Sequence, residues 1–156
     1  MESLKNIPGY YRYSDLLSSG GQPSGEQFKQ LKESGVDVVI NLSPVSAKNA
    51  LLTEHELVEQ LKIDYIHFPV DCSDLRDIHY LTIRALLNAV EGQKVFIHCG
   101  GNIKSSNLIH MYHVLEKDMN EYESLRILLK IQQPEGKWFG FFKRMGMQGI
   151  RDLDKT

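Results

Sequence analysis

The 156-residue chain is long enough for one domain with its own core and too short for two comfortable ones. Its net charge of −2 provides no large positive field, which excludes nucleic acid as an expected partner. No apolar run approaches the roughly 20 residues of a membrane span, so we expect no membrane partner either. The sequence carries no feature that assigns an oligomeric state.

The N-terminal residues lack the apolar core and cleavage site of a signal peptide. This predicts a cytoplasmic protein, or a periplasmic one if a leader has been removed. Cys72 and Cys99 are too few for a disulfide framework. In a reducing compartment we expect both to be thiols.

Helical and strand patterns alternate along the chain, which predicts an α/β layer fold with a mainly parallel sheet. Capping boxes at Ser24–Gln27 and Thr53–Glu56 start two of the predicted helices, and Asn120 with Glu123 starts a third. The predicted helices cover 24–34, 53–61, 76–90, a stretch ending near 115, one starting after 120, and a short one carrying Trp138, Phe141 and Phe142. The predicted strands are 36–42, 65–70 and 94–98.

The most informative segment follows the last predicted strand and reads His98-Cys99-Gly100-Gly101-Asn102-Ile103-Lys104-Ser105-Ser106. A strand that ends in a glycine turn before a helix makes a concave nest of backbone N–H groups, which binds anions. We expect Gly100 and Gly101 to adopt positive φ and to let the backbone approach the ligand. The positive electrostatic field of the N–H nest and the helix N-terminus lowers the pKa of a nearby thiol, which predicts a thiolate nucleophile at Cys99. The alternative is a structural cysteine before a turn.

This loop resembles the signature of cysteine-dependent protein tyrosine and dual-specificity phosphatases, which is His-Cys, five residues, Arg, Ser/Thr. Ser105 stands at the arginine position in that count. In a shorter variant of this signature, four residues intervene and Lys104 occupies the arginine position. This shorter loop is typical of the phosphatase-like family related to the beta-lactamase-hydrolase-like proteins and also of rhodaneses. The segments Ser19-Gly20-Gly21-Gln22-Pro23-Ser24 and 38–42 are similar to the opening of that phosphatase-like family. The resemblance covers about residues 14–116.

The resemblance implies a single phosphatase-like domain over residues 1–156, with a three-layer fold and a central, mainly parallel sheet flanked by helices. It implies a two-step phosphoryl transfer in which Cys99 attacks phosphorus, water releases phosphate, and no cofactor or metal takes part. His98 would orient the loop, and residues Gly100 to Ser106 would hold the phosphoryl oxygens. Ser105 or Ser106 is placed to hydrogen-bond the sulfur or the leaving group. The implied partner is a phosphorylated substrate, inorganic phosphate or sulfate.

The sequence departs from the family pattern at two positions. Lys104 offers a point charge where arginine offers a planar fork that holds two oxygens. Ser43 also stands where the relatives usually carry arginine. Without an arginine that holds two phosphoryl oxygens, the transition state could lose several kcal/mol of stabilisation. Oxyanion binding without efficient turnover is therefore the second interpretation of the function. A rhodanese-like sulfurtransferase, suggested by the short loop, is the third.

Asp71 is the leading candidate for the general acid, because the acid loop of these phosphatases likewise follows a strand. Asp74 and Asp77 compete with it, and the alternative is that all three cap the helix starting near residue 76. Cys72, beside Asp71, either forms a reversible disulfide with Cys99 or is an ordinary loop thiol.

His110 and His113 are three residues apart on one helix, a spacing that metals use, but they lack an obvious third ligand. We therefore expect them to be packing or surface residues. The aromatic residues of the last helix are expected in the core, and the basic residues Lys143, Arg144 and Arg151 on a solvated face.

Overall fold

A mixed sheet of five strands organises the chain in a computed structural model that describes residues 4–154. The strands lie in the order β1-β2-β5-β3-β4, and only the β1–β2 pair is antiparallel. Their bounds are Tyr11–Arg12, Leu17–Gly20, Val38–Asn41, Asp64–His67 and Val95–His98 for β1 to β5. The structure confirms the predicted α/β fold with a mainly parallel sheet. Residues 1–3, part of the segment searched for a leader, lie outside the described residues.

The register aligns the carboxyl ends of three parallel strands. His98, the last residue of β5, pairs with Gly20 at the end of β2 and with Asn41 at the end of β3. Val95 to Ile97 are all almost completely buried, as expected for a central strand of a parallel sheet. The loop that follows β5 therefore starts at the middle of the sheet edge where ligands bind in open α/β sheets.

The described residues contain six α-helices, α1 to α6, with the bounds Gly25–Glu33, Glu54–Gln60, Asp77–Ala89, Ile103–Leu115, Glu121–Ile131 and Gly136–Arg144. Contacts group the described chain into two compact units. The first contains the residues up to Val70 together with Val90–Ser105, and hence the whole sheet, α1 and α2. The second contains Asp71–Ala89 and the residues from Ser106 onward. The single domain over 1–156 stays a prediction.

In the first unit, α1 and α2 share an apolar core with the sheet. Phe28 and Leu31 of α1 pack with Val58 of α2, Val39 of β3 and Phe96 of β5. The Ser24–Gln27 capping box that starts α1 is present in both directions, which confirms that prediction. The predicted box at Thr53 is wrong, because the Thr53 side chain makes no capping hydrogen bond.

In the second unit, the aromatic residues of α6 form the core, as predicted. Trp138, Phe141 and Phe142 are at most 1% exposed. His110 of α4 packs edge-on against Phe142 at a ring distance of 5.0 Å, and its Nδ1 lies 2.7 Å from Ser124 Oγ of α5. The predicted packing role of His110 is confirmed.

A carboxylate at the start of α5 binds the segment after α6. Glu121 accepts hydrogen bonds from the backbone N–H groups of residues 148, 149 and 150 and so holds this segment in place. Lys143, Arg144 and Arg151 are exposed, as predicted. The guanidinium groups of Arg144 and Arg151 also lie over the rings of Phe141 and Phe139.

Candidate active site

Cys99 lies between the carboxyl end of a central strand and the start of a helix. It follows β5 directly, its N–H donates to the Gly20 carbonyl at 3.4 Å, and it is 1% exposed. Helix α4 begins four residues later, at Ile103. The first four N–H groups of a helix have no partner within the helix, and its dipole places partial positive charge at that end. Residues 100–105 thus form a loop and a first helical turn suited to an oxyanion.

The backbone of the loop reverses at Asn102. Neither Gly100 nor Gly101 has positive φ, so our expectation for the two glycines was wrong. Asn102 takes that conformation, with φ of 66°, which asparagine tolerates better than most residues. Its side-chain Nδ2 donates to the Gly9 carbonyl at 2.7 Å and to Ser19 Oγ at 2.9 Å, and the residue is fully buried. These contacts hold the turn in a fixed shape.

The segment after β2 lies directly against the loop. Gly101 forms an isolated β-bridge with Gly21, and the N–H of Gln22 donates to the Gly100 carbonyl at 3.0 Å. Any side chain at Gly21 would collide with the loop, because a Cβ there would lie 2.6 Å from the Gly100 oxygen. The segment from Ser19 to Ser24, which carries the resemblance, therefore supplies backbone that supports the loop.

His98 is held by a carboxylate that the sequence analysis missed. Its Nε2 lies 2.7 Å from Glu54 Oε2, and both side chains are almost completely buried. Glu54 also accepts hydrogen bonds from Gln22 Nε2 at 2.6 Å and from Tyr65 Oη at 2.9 Å. Asn41 Nδ2 in turn donates to Tyr65 Oη at 2.9 Å. No local signal singles out Glu54, because Glu56 and Glu59 occupy the same short helix.

The electrostatics of this network keep Glu54 ionised. Burial raises the pKa of Glu54, but the hydrogen bond and charge of His98, with the hydrogen bonds from Gln22 and Tyr65, outweigh it and lower the pKa below its ordinary value. Burial raises the pKa of Tyr65 and so keeps the phenol a hydrogen-bond donor. A fixed negative charge therefore lies beside the imidazole that precedes Cys99.

The remaining predicted oxyanion ligands lie in the first turn of α4. Lys104 is half-buried there, and Ser105 is fully buried with no hydrogen-bond partner for its Oγ among the described residues. The Ser106 Oγ accepts a hydrogen bond from Gln132 Nε2 at 2.6 Å. Gly100 to Ser105 thus lie in the loop and the first turn of α4, whereas the Ser106 hydroxyl is hydrogen-bonded to Gln132, the residue after α5. Their roles as ligands stay predictions.

The three candidate acids belong to the second unit. Asp71 Oδ1 accepts hydrogen bonds from the N–H and Oγ of Ser73, at 2.9 and 2.7 Å, and so shapes its own loop. Asp77, the first residue of α3, pairs with Arg144 Nε at 3.0 Å. The choice of acid stays a prediction.

The two cysteines of the described chain do not form a disulfide: Cys72 is half-buried and Cys99 is buried. Within residues 4–154, no group of three His, Cys, Asp or Glu side chains is placed to hold a metal ion. None of the described helices is both long and apolar enough to cross a membrane.

Solved structures of three other proteins have a similar fold. A putative phosphatase (DUF442) from Shewanella putrefaciens CN-32 is 30% identical, with a TM-score of 0.79 over 90% of this chain and 93% of that one. Tk-PTP in its active form is 17% identical, with a TM-score of 0.72 over 92% and 99%. TpbA of P. aeruginosa, in complex with pTyr, is 17% identical, with a TM-score of 0.65 over 80% and 73%.

Comparison with protein-family models and with curated proteins found no match. Tk-PTP and TpbA, at their low identity, show the fold alone, and they confirm the phosphatase-like α/β fold that the loop implied. The Shewanella protein is similar along nearly the whole chain. The chain therefore belongs to the DUF442 family of putative phosphatases, and it shares the fold of Tk-PTP and TpbA.

Proposed function

We propose that this protein is a cysteine-dependent phosphatase that hydrolyses phosphomonoesters. The observation that carries the proposal is the position of Cys99, buried at the end of β5 and four residues before the N-terminus of α4. Its neighbour His98 is bound to the ionised Glu54. Such a constellation provides a nucleophile, an oxyanion cradle and a fixed imidazole in one place.

In the first step, the Cys99 thiolate attacks phosphorus and the bond from phosphorus to the ester oxygen breaks. The proposed acid, Asp71, gives its proton to the departing alkoxide. In the second step, the Asp71 carboxylate takes a proton from water, whose oxygen attacks phosphorus and releases inorganic phosphate and the thiolate. The backbone amides of residues 100–105 and the Lys104 ammonium would stabilise the phosphoryl oxygens in both steps.

The proposal predicts that the full chain hydrolyses p-nitrophenyl phosphate and that Cys99→Ser abolishes this activity. The matched control is Cys72→Ser, which removes the other thiol and should retain turnover. Absence of turnover by the wild-type chain at every pH from mildly acidic to mildly alkaline would contradict the proposal. Equal loss in both variants would show that the thiol at Cys99 has no special role.

A second candidate is an oxyanion-binding protein with poor turnover. Ser43, at a usual arginine position, is 5% exposed; its N–H donates to Asn41 Oδ1, and its carbonyl lies 2.6 Å from His67 Nε2. It supplies no positive charge, so Lys104 acts without a planar fork in the loop.

Inorganic phosphate binding and the variant Lys104→Arg separate the two candidates. A weak phosphatase should gain roughly tenfold in turnover from a bidentate clamp, whereas phosphate affinity changes less. Phosphate binding without turnover in both forms would favour the binding protein. Sulfur transfer from thiosulfate to cyanide should be absent, and its presence would favour the rhodanese-like alternative.

A further inference from the structure

A cavity of about 240 Å³ lies in the first unit, at the carboxyl ends of β3 and β4. The segment between β3 and α2 forms one side of it, with the apolar side chains of Val45, Ala50 and Leu52. Neither Cys99 nor any residue of the 100–106 loop is among its lining residues. The cavity is therefore separate from the proposed phosphoryl site.

The lining of the cavity also includes a strip of flat rings. His55 stacks on Tyr65 at a ring distance of 5.1 Å and an angle of 22°, and His67 follows at 6.2 Å from Tyr65. All three residues line the cavity. Two other lining residues, Val45 and Leu52, are 72% and 89% exposed, which is unusual for apolar side chains beside one concave surface. A lining that combines flat rings with aliphatic groups suits a planar ligand.

The charge of the cavity limits the ligand further. The ionised Glu54 is a lining residue, and no lysine or arginine lines this cavity within residues 4–154. An anion would lie near a carboxylate without a permanent positive charge to compensate it. The volume fits a single ring or a small fused ring system. The occupant expected from these properties is a small, flat aromatic molecule without negative charge.

The cavity is also connected to the loop. Tyr65 and Gln22 line it, and both donate hydrogen bonds to Glu54, whose third partner is His98. The Gly100 carbonyl faces the N–H of Gln22 and the Nδ2 of Asn49. Because a trans peptide directs its C=O and N–H to opposite sides, the N–H of Gly101 faces away from Gln22 and Asn49. Gln22 therefore links the cavity to the loop.

We propose that this cavity is an effector site for a small, flat aromatic molecule without negative charge, and that its occupation increases the reactivity of Cys99 through Tyr65, Glu54 and His98. A ligand against Tyr65 excludes water from the wall that contains Glu54. Lower local polarity strengthens the hydrogen bond between Glu54 and His98, which holds the residue before Cys99 more firmly. The binding claim is independent of the proposed function, whereas the physiological meaning of the coupling rests on it.

The binding claim is tested by titrating the ¹⁵N-labelled full chain with benzamidine and, separately, with benzoate, which has similar size and opposite charge. Benzamidine should saturably shift the amide signals of Ala50, Leu52 and Tyr65, and benzoate should not. The variant Leu52→Ser should weaken benzamidine roughly tenfold. Its control, Leu16→Ser, changes an exposed leucine that does not line the cavity and should leave binding unchanged. Shifts centred elsewhere, or equal binding of benzoate, would overturn the site.

The coupling is tested in a Cys72→Ser background by the rate of Cys99 alkylation with iodoacetamide. Saturating benzamidine should raise this rate severalfold at neutral pH, and Leu52→Ser should remove the response at the same benzamidine concentration. Binding without a change in rate would refute the coupling. Both readouts work on a chain without turnover, so failure of the effector site and failure of the phosphatase proposal are distinguishable.

Discussion

The buried pair of His98 and Glu54 is the strongest single constraint on the chemistry of Cys99. A carboxylate 2.7 Å from Nε2 fixes the ring of His98, the residue directly before Cys99. Because the pair is almost fully buried, solvent screens it much less than a surface pair. Glu54 is therefore a positioning residue that acts on the thiol through His98.

Replacing Glu54 by the neutral, similarly shaped glutamine tests this role. In Glu54→Gln, we expect the rate of Cys99 alkylation at neutral pH to fall severalfold, because His98 loses the charged partner that holds its ring beside the thiol. The matched control is Glu59→Gln, which removes the partner of the exposed His55 at 2.8 Å and should leave the rate unchanged. Equal rates in both variants would show that Glu54 acts only in packing.

The nucleophile and its loop could be predicted from the sequence, since the residues that form an anion cradle are contiguous from His98 to Ser105. Glu54 could not, because it is 44 residues away and becomes a neighbour of His98 only when α2 packs on the sheet. Positive φ at Gly100 and Gly101 is the local prediction, because glycine adopts that conformation easily. The structure has positive φ at Asn102 instead. The contacts of Asn102 with Gly9 and Ser19 are non-local, so the sequence does not reveal them.

At the scale of elements, the support of the loop by the end of β2 depends on a glycine. In Gly21→Ala, a methyl group would meet the Gly100 oxygen at 2.6 Å and Pro8 at 3.1 Å, so backbone must move on both sides. We expect a loss of stability of about 1–3 kcal/mol, the usual cost of overpacking. Urea unfolding measures it.

The control for this prediction is Gly101→Ala in the loop itself, where an added Cβ meets nothing within 4 Å and φ is not positive. It should change stability by less than about 1 kcal/mol. If Gly21→Ala were equally mild, the close contact between the segment after β2 and the loop would not constrain the fold.

The helices and strands β3, β4 and β5 could be predicted because each has a local apolar period or a run of apolar residues. Strands β1 and β2 were missed. β1 has only two residues, and β2 reads Leu-Ser-Ser-Gly, without the β-branched residues that mark a strand. They are strands because β2 pairs in parallel with β5, so their conformation is set by a partner 78 residues further along the chain. The strand order of the sheet has the same non-local origin.

At the scale of the whole chain, the pH dependence of stability follows from two buried groups in different units. Desolvation lowers the pKa of His110 from 6.5 to about 4, and the positive charge of His113 adds to this. The network around His98 lowers the pKa of Glu54. In both cases the unfolded chain binds protons at a higher pH than the folded chain does, so stability is lost as pH falls.

For His110, the loss should extend from about pH 6.5 to about pH 4 and amount to about 3 kcal/mol, since each pKa unit corresponds to about 1.4 kcal/mol. The Glu54 contribution is complete above pH 4.5 and is lost as pH falls through its lower folded pKa. The measurement is the free energy of unfolding in urea at a series of pH values.

Because His110→Gln removes the titrating imidazole, it should flatten the curve of unfolding free energy against pH between pH 6.5 and 4, even if its stability at neutral pH is lower. His55→Gln, which changes an exposed imidazole, should preserve the slope. An unchanged slope in His110→Gln would mean that His110 is protonated in the fold without cost, contrary to its burial beneath α5 and α6.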